Sequence, residues 1–191
     1  SKMANQQVKR IVKERETLNQ TVWREEEQAQ KYEDTFVRLW DQLRGKDHSW
    51  DIFDLFPFQV IQLGDNPSTR MYDWGIEKTT LEPGGDEVSW EDWQRKLGEW
   101  GKEYVLKESE WHQEAFSADE AKGPSSLYKI VLHLQKRQGQ ERVIVRGSID
   151  VNWGDKKHDG LFLPKRIFVK DLTIWRRKGA VPFQQARLFE P

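Results

Sequence analysis

RVIVRGSIDVNW, residues 142–153, is the stretch on which the fold turns. Val143, Val145, Ile149, Val151 and Trp153 fall on one face of an extended chain, and Ile144, Arg146, Ser148, Asp150 and Asn152 on the other. That two-residue period is the mark of a strand with one buried face. Gly147 sits at its centre, and a glycine inside a long strand marks a bulge or a bend. Just before it, SSLYKIVLHLQKR (125–137) places Tyr128, Ile130, Leu132 and Leu134 on one face, and Gln138-Gly139-Gln140 supplies the turn between the two. After it come a loop of Gly, Asp, Lys and His and then KRIFVKDLTIWRRKG (165–179). Upstream, YVLKESEWHQEAF (104–116) reads as a further strand, with helix left open by its Glu and Lys content. Long strands joined by short turns, following helical blocks, predict an α+β fold: a long N-terminal helix and a cone-like, strongly bent antiparallel sheet packed on helices.

The middle of the chain supplies the smaller pieces. WDIFDLFPF (50–58) is a short apolar helical turn ended by Pro57, because proline disfavours helix at the residue before it. FQVIQLG (58–64) reads as a strand, residues 64–75 as a loop, and IEKTTLEPGG (76–85) as a second strand and turn. SWEDWQRKLGEWGKEY (89–104) is amphipathic at helical spacing, with Ser89 as N-cap. Trp90, Trp93, Leu97 and Trp100 form its apolar stripe. Trp40, Trp93, Trp100 and Trp111 are expected among the most buried residues, because each lies on an apolar stripe.

Residues 4–44 contain neither Pro nor Gly, and Gly45 supplies a stop signal. Val8, Arg15, Val22, Ala29, Phe36 and Leu43 recur every seven residues, and Ile11, Leu18, Glu25, Tyr32 and Leu39 interleave, an a/d seam with two polar lapses at Arg15 and Glu25. A helix of this length measures ~60 Å, against a radius of gyration of ~16 Å for a compact chain of 191 residues. It must overhang its domain unless it breaks near Gln20 and folds back. The organisation read from this is a projecting helical arm over 1–26 and a cone-like α+β domain over 27–191. Val8, Ile11, Leu18 and Val22 are the candidate partner-binding residues, the partner being a protein, either a second copy or another domain.

Composition narrows the function classes. The 31 basic and 32 acidic residues leave a net charge of −1, which removes a global electrostatic case for nucleic acid. No apolar run approaches the ~20 residues of a membrane-spanning helix, so membrane insertion is not expected. The absence of Cys excludes disulfides and thiolate metal sites. Ser1-Lys2-Met3 does not read as a natural start. Asp155, His158 and Asp159 crowd one loop beside Lys156 and Lys157, which fits a solvated hairpin better than a metal site. Neither metal nor cofactor is expected. Trp175-Arg176-Arg177-Lys178 is the strongest basic cluster, too narrow for a nucleic-acid groove.

The order helix, mini-helix, strand, strand, helix, long strands, with TFVRLWDQLRGKDHSWDIFDLFPF (35–58) leading into the first strand, resembles the cone-shaped folds of the nuclear transport factor two and SnoaL-like superfamily. The likeness covers about residues 30–179. It implies a pocket inside the bent sheet, for which Trp111, Tyr128 and Trp153 are the candidate lining residues, and acid/base groups at its mouth. Glu110, His112 and Asp150 are the candidates for catalysis, with His133 on a neighbouring strand, although an alternating strand also presents such residues to solvent. Segments 22–44, SEWHQEAF (109–116), VIVRGSIDVNW (143–153) and AVPF (180–183) further resemble N-terminal modules of secreted bacterial FG-GAP/VCBS proteins of the ASPIC/UnbV type. That likeness implies an extracytoplasmic setting, with a cytoplasmic one left open. The first reading is a non-catalytic interaction and assembly module. The rivals are a small-molecule pocket protein or cone-type isomerase or dehydratase, and a purely structural domain.

Overall fold

The computed structural model describes residues 2–44 and 49–179; Gly45 and the AVPF segment lie outside them. Helix α1 runs unbroken over Lys2–Leu43, 42 residues, so there is no break near Gln20. Every residue from Lys2 to Gln28 is exposed, and burial begins at Ala29. Thereafter the seam turns inward: Phe36, Leu39 and Leu43 are buried, and the Thr35 hydroxyl donates to the Phe162 carbonyl at 2.7 Å. A 3-10 segment follows over Ser49–Leu55.

Among the described residues eight strands make one open sheet: β1 (Val60–Gln62), β2 (Asp65–Tyr72), β3 (Ile76–Glu82), β4 (Glu87–Ser89), β5 (Tyr104–Asp119), β6 (Gly123–Lys136), β7 (Arg142–His158) and β8 (Leu161–Arg177). The path is β2-β3-β8-β7-β6-β5. All of these pairs are antiparallel, and the short β1 adds a parallel pair with β8 and an antiparallel one with β4. Register shifts interrupt β5–β6 at Leu106/Glu108 and Gln113/Ala115, and β7–β8 at Ser148/Ile149. Such extra residues bend the strands, and this sheet curves around the C-terminal part of α1. The long helix plus curved sheet is the α+β class the sequence predicts.

Helix α2 (Trp90–Glu103) begins as expected, with Ser89 Oγ accepting from the Asp92 amide at 3.2 Å. Trp50 docks at its other end. The indole lies where a Cβ on Gly101 would stand 2.9 Å from Trp50 Cδ1, and Nε1 donates to the Tyr104 carbonyl at 3.0 Å.

Three expectations are corrected. Residues 64–75 are not a loop, since β2 occupies most of them. Its eight residues are all exposed, so it lacks the apolar alternation that betrays a strand; backbone pairing to β3 alone defines it, and Pro67 is tolerated because this is an edge strand with a register shift. Residues 154–158 belong to β7, and the turn shrinks to Asp159-Gly160, both at positive φ, the geometry of a two-residue hairpin. The buried tryptophans are Trp50 and Trp153, whereas Trp40, Trp93 and Trp111 are half-buried and Trp100 is 40% exposed. The physical reason is that Trp93, Trp100 and Trp111 border a cavity, so one side of each ring lacks packed neighbours.

Gly147 faces Ile130 on one side and Leu172 on the other. A Cβ there would stand 2.3 Å from the Asp171 carbonyl oxygen. Gly147→Ala should therefore destabilise by ~1–3 kcal/mol, the range for forced overpacking. Gly98, inside α2, has nothing within 4 Å of such a Cβ, so Gly98→Ala should stabilise by ~0.5–1 kcal/mol. Urea unfolding of the two variants gives opposite shifts in midpoint, and shifts of the same sign would refute this account of the bend.

Candidate functional site

The concave face of the sheet, α1, α2 and the 3-10 segment enclose a cavity of about 320 Å³. Its walls are built in rows, because residues paired across antiparallel strands share a face. One row holds Leu134, Val143 and Arg176, and the next Leu132, Val145 and Ile174. Phe36 and Leu39 of α1 and Trp90, Trp93 and Trp100 of α2 close the other sides. Polar groups are few. Thr35 is already bonded to Phe162, Tyr104 donates its hydroxyl to Glu141 Oε1 at 3.4 Å, and Arg176 stands exposed at the rim. Trp111 Nε1 and, beside Leu132 on the same face, Ser109 Oγ are buried without a hydrogen-bond partner among the described residues. An apolar chamber with a few unspent donors is the usual form of a small-molecule site.

Of the expected lining residues, Trp111 borders the cavity. Tyr128 and Trp153 are buried in the aromatic layer next to it: Phe36 lies 4.4 Å from the Tyr128 ring and 5.6 Å from the Trp153 ring. Tyr128 donates to Gln113 Oε1 at 3.2 Å and Trp153 Nε1 to Ser126 Oγ at 2.8 Å, so both polar tips are spent on internal contacts.

The acid/base candidates lie elsewhere. Glu110, His112 and His133 occupy the opposite face of β5 and β6 from Trp111 and Ile130. His112 meets the edge of Trp40 with ring centroids 5.2 Å apart, and its Nε2 is 3.9 Å from Glu110 Oε2, both side chains more than half exposed. Asp150 pairs with Lys170 Nζ at 2.8 Å on the outer face of β7. None of Glu110, His112 or Asp150 borders the cavity. Among the described residues no three His, Asp or Glu side chains converge as a metal site; His158 and Asp159 approach to 3.5 Å at an exposed turn. The basic cluster is divided by strand alternation. Trp175 stacks near Tyr72 at 5.8 Å with Lys78 over its ring at 5.0 Å, while Arg176 turns to the cavity rim.

Sequence reading missed Tyr104 and Arg176 as cavity residues. Arg176 was legible only as part of a basic run, and its facing depends on the register set by the β7–β8 shift at Ser148/Ile149.

The exposed arm is the second candidate. Val8, Ile11, Leu18 and Val22 are 58%, 50%, 62% and 44% exposed, with Val12 and Trp23 exposed beside them. No helix of the described residues is long and apolar enough to cross a membrane.

Burial, with Glu33 and Asp34 adding to it, holds the Tyr128 phenol well above its ordinary range. Burial also raises Tyr104, reinforced by Glu141, and Tyr32, reinforced by Asp155. The unfolded chain releases these protons near pH ~10 while the folded chain keeps them, so stability present below pH ~10 falls as pH rises beyond it. Urea unfolding between pH 8 and 11 should show this loss, and Tyr128→Phe should make the slope shallower. A pH-independent midpoint across that range would contradict the buried phenol.

No family model matches the chain, and no curated protein or solved structure matches it either.

Proposed function

We propose that the chain is a non-catalytic assembly module whose helical arm docks on a protein partner. The observation that carries this reading is the arm itself: residues 2–28 are exposed without interruption, yet they hold apolar side chains at seam spacing. A solvated helix gains nothing from a seam. Burying Val8, Ile11, Leu18 and Val22 would contribute ~1.5–3 kcal/mol each, comparable with the association cost of ~4–15 kcal/mol. The full chain should associate with itself or a partner, and deletion of residues 1–26 should leave a folded monomer. Light scattering across concentration, with circular dichroism of the shorter chain, tests this; a monomeric full chain with an unfolded truncation would make the arm an internal strut.

A second reading is favoured by the cavity: a pocket for a small apolar molecule, in keeping with the resemblance to the cone-shaped superfamily. The likeness to modules of secreted proteins adds an extracytoplasmic setting to the proposal. N-phenyl-1-naphthylamine, an uncharged apolar probe, should bind at one per chain and raise the melting temperature, as any ligand of the folded state does. Val145→Phe, which fills the chamber, should abolish binding while leaving a cooperative melt. Equal binding by this variant would place the probe elsewhere.

A further inference from the structure

We infer that the partner of the arm is a second copy of this chain, lying antiparallel with a twofold axis at Gln20. The inference rests on the assembly reading above and follows from the two polar lapses in the seam. In an antiparallel pair each a position opposes a d position of the other copy, so opposed residue numbers have a constant total. When that total is 40, Leu18 opposes Val22, Ile11 opposes Ala29, and Arg15 opposes Glu25. Both lapses are then matched, by two symmetric ion pairs across the interface. Shifting one heptad either way sets Arg15 against Leu18 or Tyr32, and Glu25 against Val8 or Val22. A parallel pair sets Arg15 on Arg15 and Glu25 on Glu25. Each of these alternatives leaves charges in an apolar layer or against their like, which costs stability and disfavours the register.

Three further observations agree. Neither Arg15 nor Glu25 has an ion-pair partner among the described residues, although Arg10 pairs with Glu14 at 3.0 Å on the same arm. Within the overlap, residues 8–19 carry four basic side chains against two acidic, and residues 21–32 two basic against three acidic. An antiparallel arrangement lays the basic half on the acidic half. At the axis, the uncharged Asn19, Gln20 and Thr21 come beside the same three residues of the other copy without charge repulsion. The layer of Ile11 on Ala29 lies at the edge of the domain, since Ala29 is the first residue of α1 that its own domain begins to cover, and Val8 meets the half-buried Tyr32 just beyond it.

The chain has no cysteine, so introduced ones report without interference. Ile11→Cys and Ala29→Cys are made on separate chains and mixed under mild oxidation. The mixture should yield a disulfide-linked dimer and neither variant alone should, because residue 11 and its own copy lie about 27 Å apart along the pair. Arg15→Glu should weaken the dimer about tenfold or more in sedimentation equilibrium, and Arg15→Glu with Glu25→Arg should restore it. Self-cross-linking of Ile11→Cys, or a dimer indifferent to Arg15→Glu, would overturn the antiparallel register and leave the assembly reading standing. A monomer at every concentration would overturn the second copy as partner; a folded monomer lacking residues 1–26 would still admit another protein, and an unfolded one would end both.

Discussion

The insertion of Phe36 into the curved sheet is the contact on which the rest depends. Its ring lies 4.4 Å from Tyr128 and 5.5 Å from Trp111, and Tyr32, one helical turn earlier, stacks on Phe162 at 4.4 Å and Phe116 at 5.4 Å. Aromatic pairs at such spacings add directional preference to the area they bury. They fix where α1 lies on the concave face, and thereby where the arm leaves the domain. The Thr35 bond to Phe162, between the two aromatics, sets the helix rotation about its axis. The seam side of residues 29–43 is thus committed to the sheet, and the same side of residues 8–25 is left in solvent.

The cavity follows from the same placement. α1 fills the part of the concave face near Tyr128, Val151 and Trp153, which are 0%, 0% and 5% exposed. The part lined by Leu132, Val145 and Ile174 stays open, with Trp93, Leu97 and Trp100 of α2 on the same chamber. The bulges that curve the sheet hold these walls apart, since a flat sheet would let α2 settle directly on the strands. Void and bend are therefore one feature. Trp111, which borders the void, leaves its Nε1 without a partner among the described residues, whereas Tyr128 and Trp153, in the filled region, have bonded tips.

Elements with a two-sided pattern were readable in the sequence. β6 and β7 show apolar alternation because one face of each is buried, and α2 shows its cap and stripe because one side meets the sheet. β2 was unreadable because both its faces are exposed and nothing in its side chains records the pairing to β3. The tryptophans misled for a related reason: periodicity identifies the inward side of an element but not whether matter or space stands opposite. Trp111 was placed inward correctly, and only the fold shows that it borders a void. Facing of Glu110, His112 and Asp150 depended on strand alternation and was legible; the bulge at Gln113/Ala115, which brings Phe116 rather than Ala115 to the side of Tyr32, was not.

The polar lapses along α1 fall only in its outer half, the half that the assembly reading proposed above assigns to a partner. From Ala29 to Leu43 the seam reads Ala29, Tyr32, Phe36, Leu39, Leu43, without a charge, and every one of these is shielded by the chain's own domain to some degree. From Val8 to Glu25 it reads Val8, Ile11, Arg15, Leu18, Val22, Glu25, with one charge of each sign. A helix that merely needed to stay soluble would scatter polar residues over the seam and leave no aliphatic row. A strut packed on its own domain would keep the row and omit the charges, as the inner half does. A seam that keeps the row and carries one cation and one anion seven and three residues from its aliphatic neighbours instead limits which surfaces satisfy it, because each charge needs its complement at a fixed height along the helix. On the proposed assembly the constraint on the outer half is therefore register, whereas on the inner half it is shape.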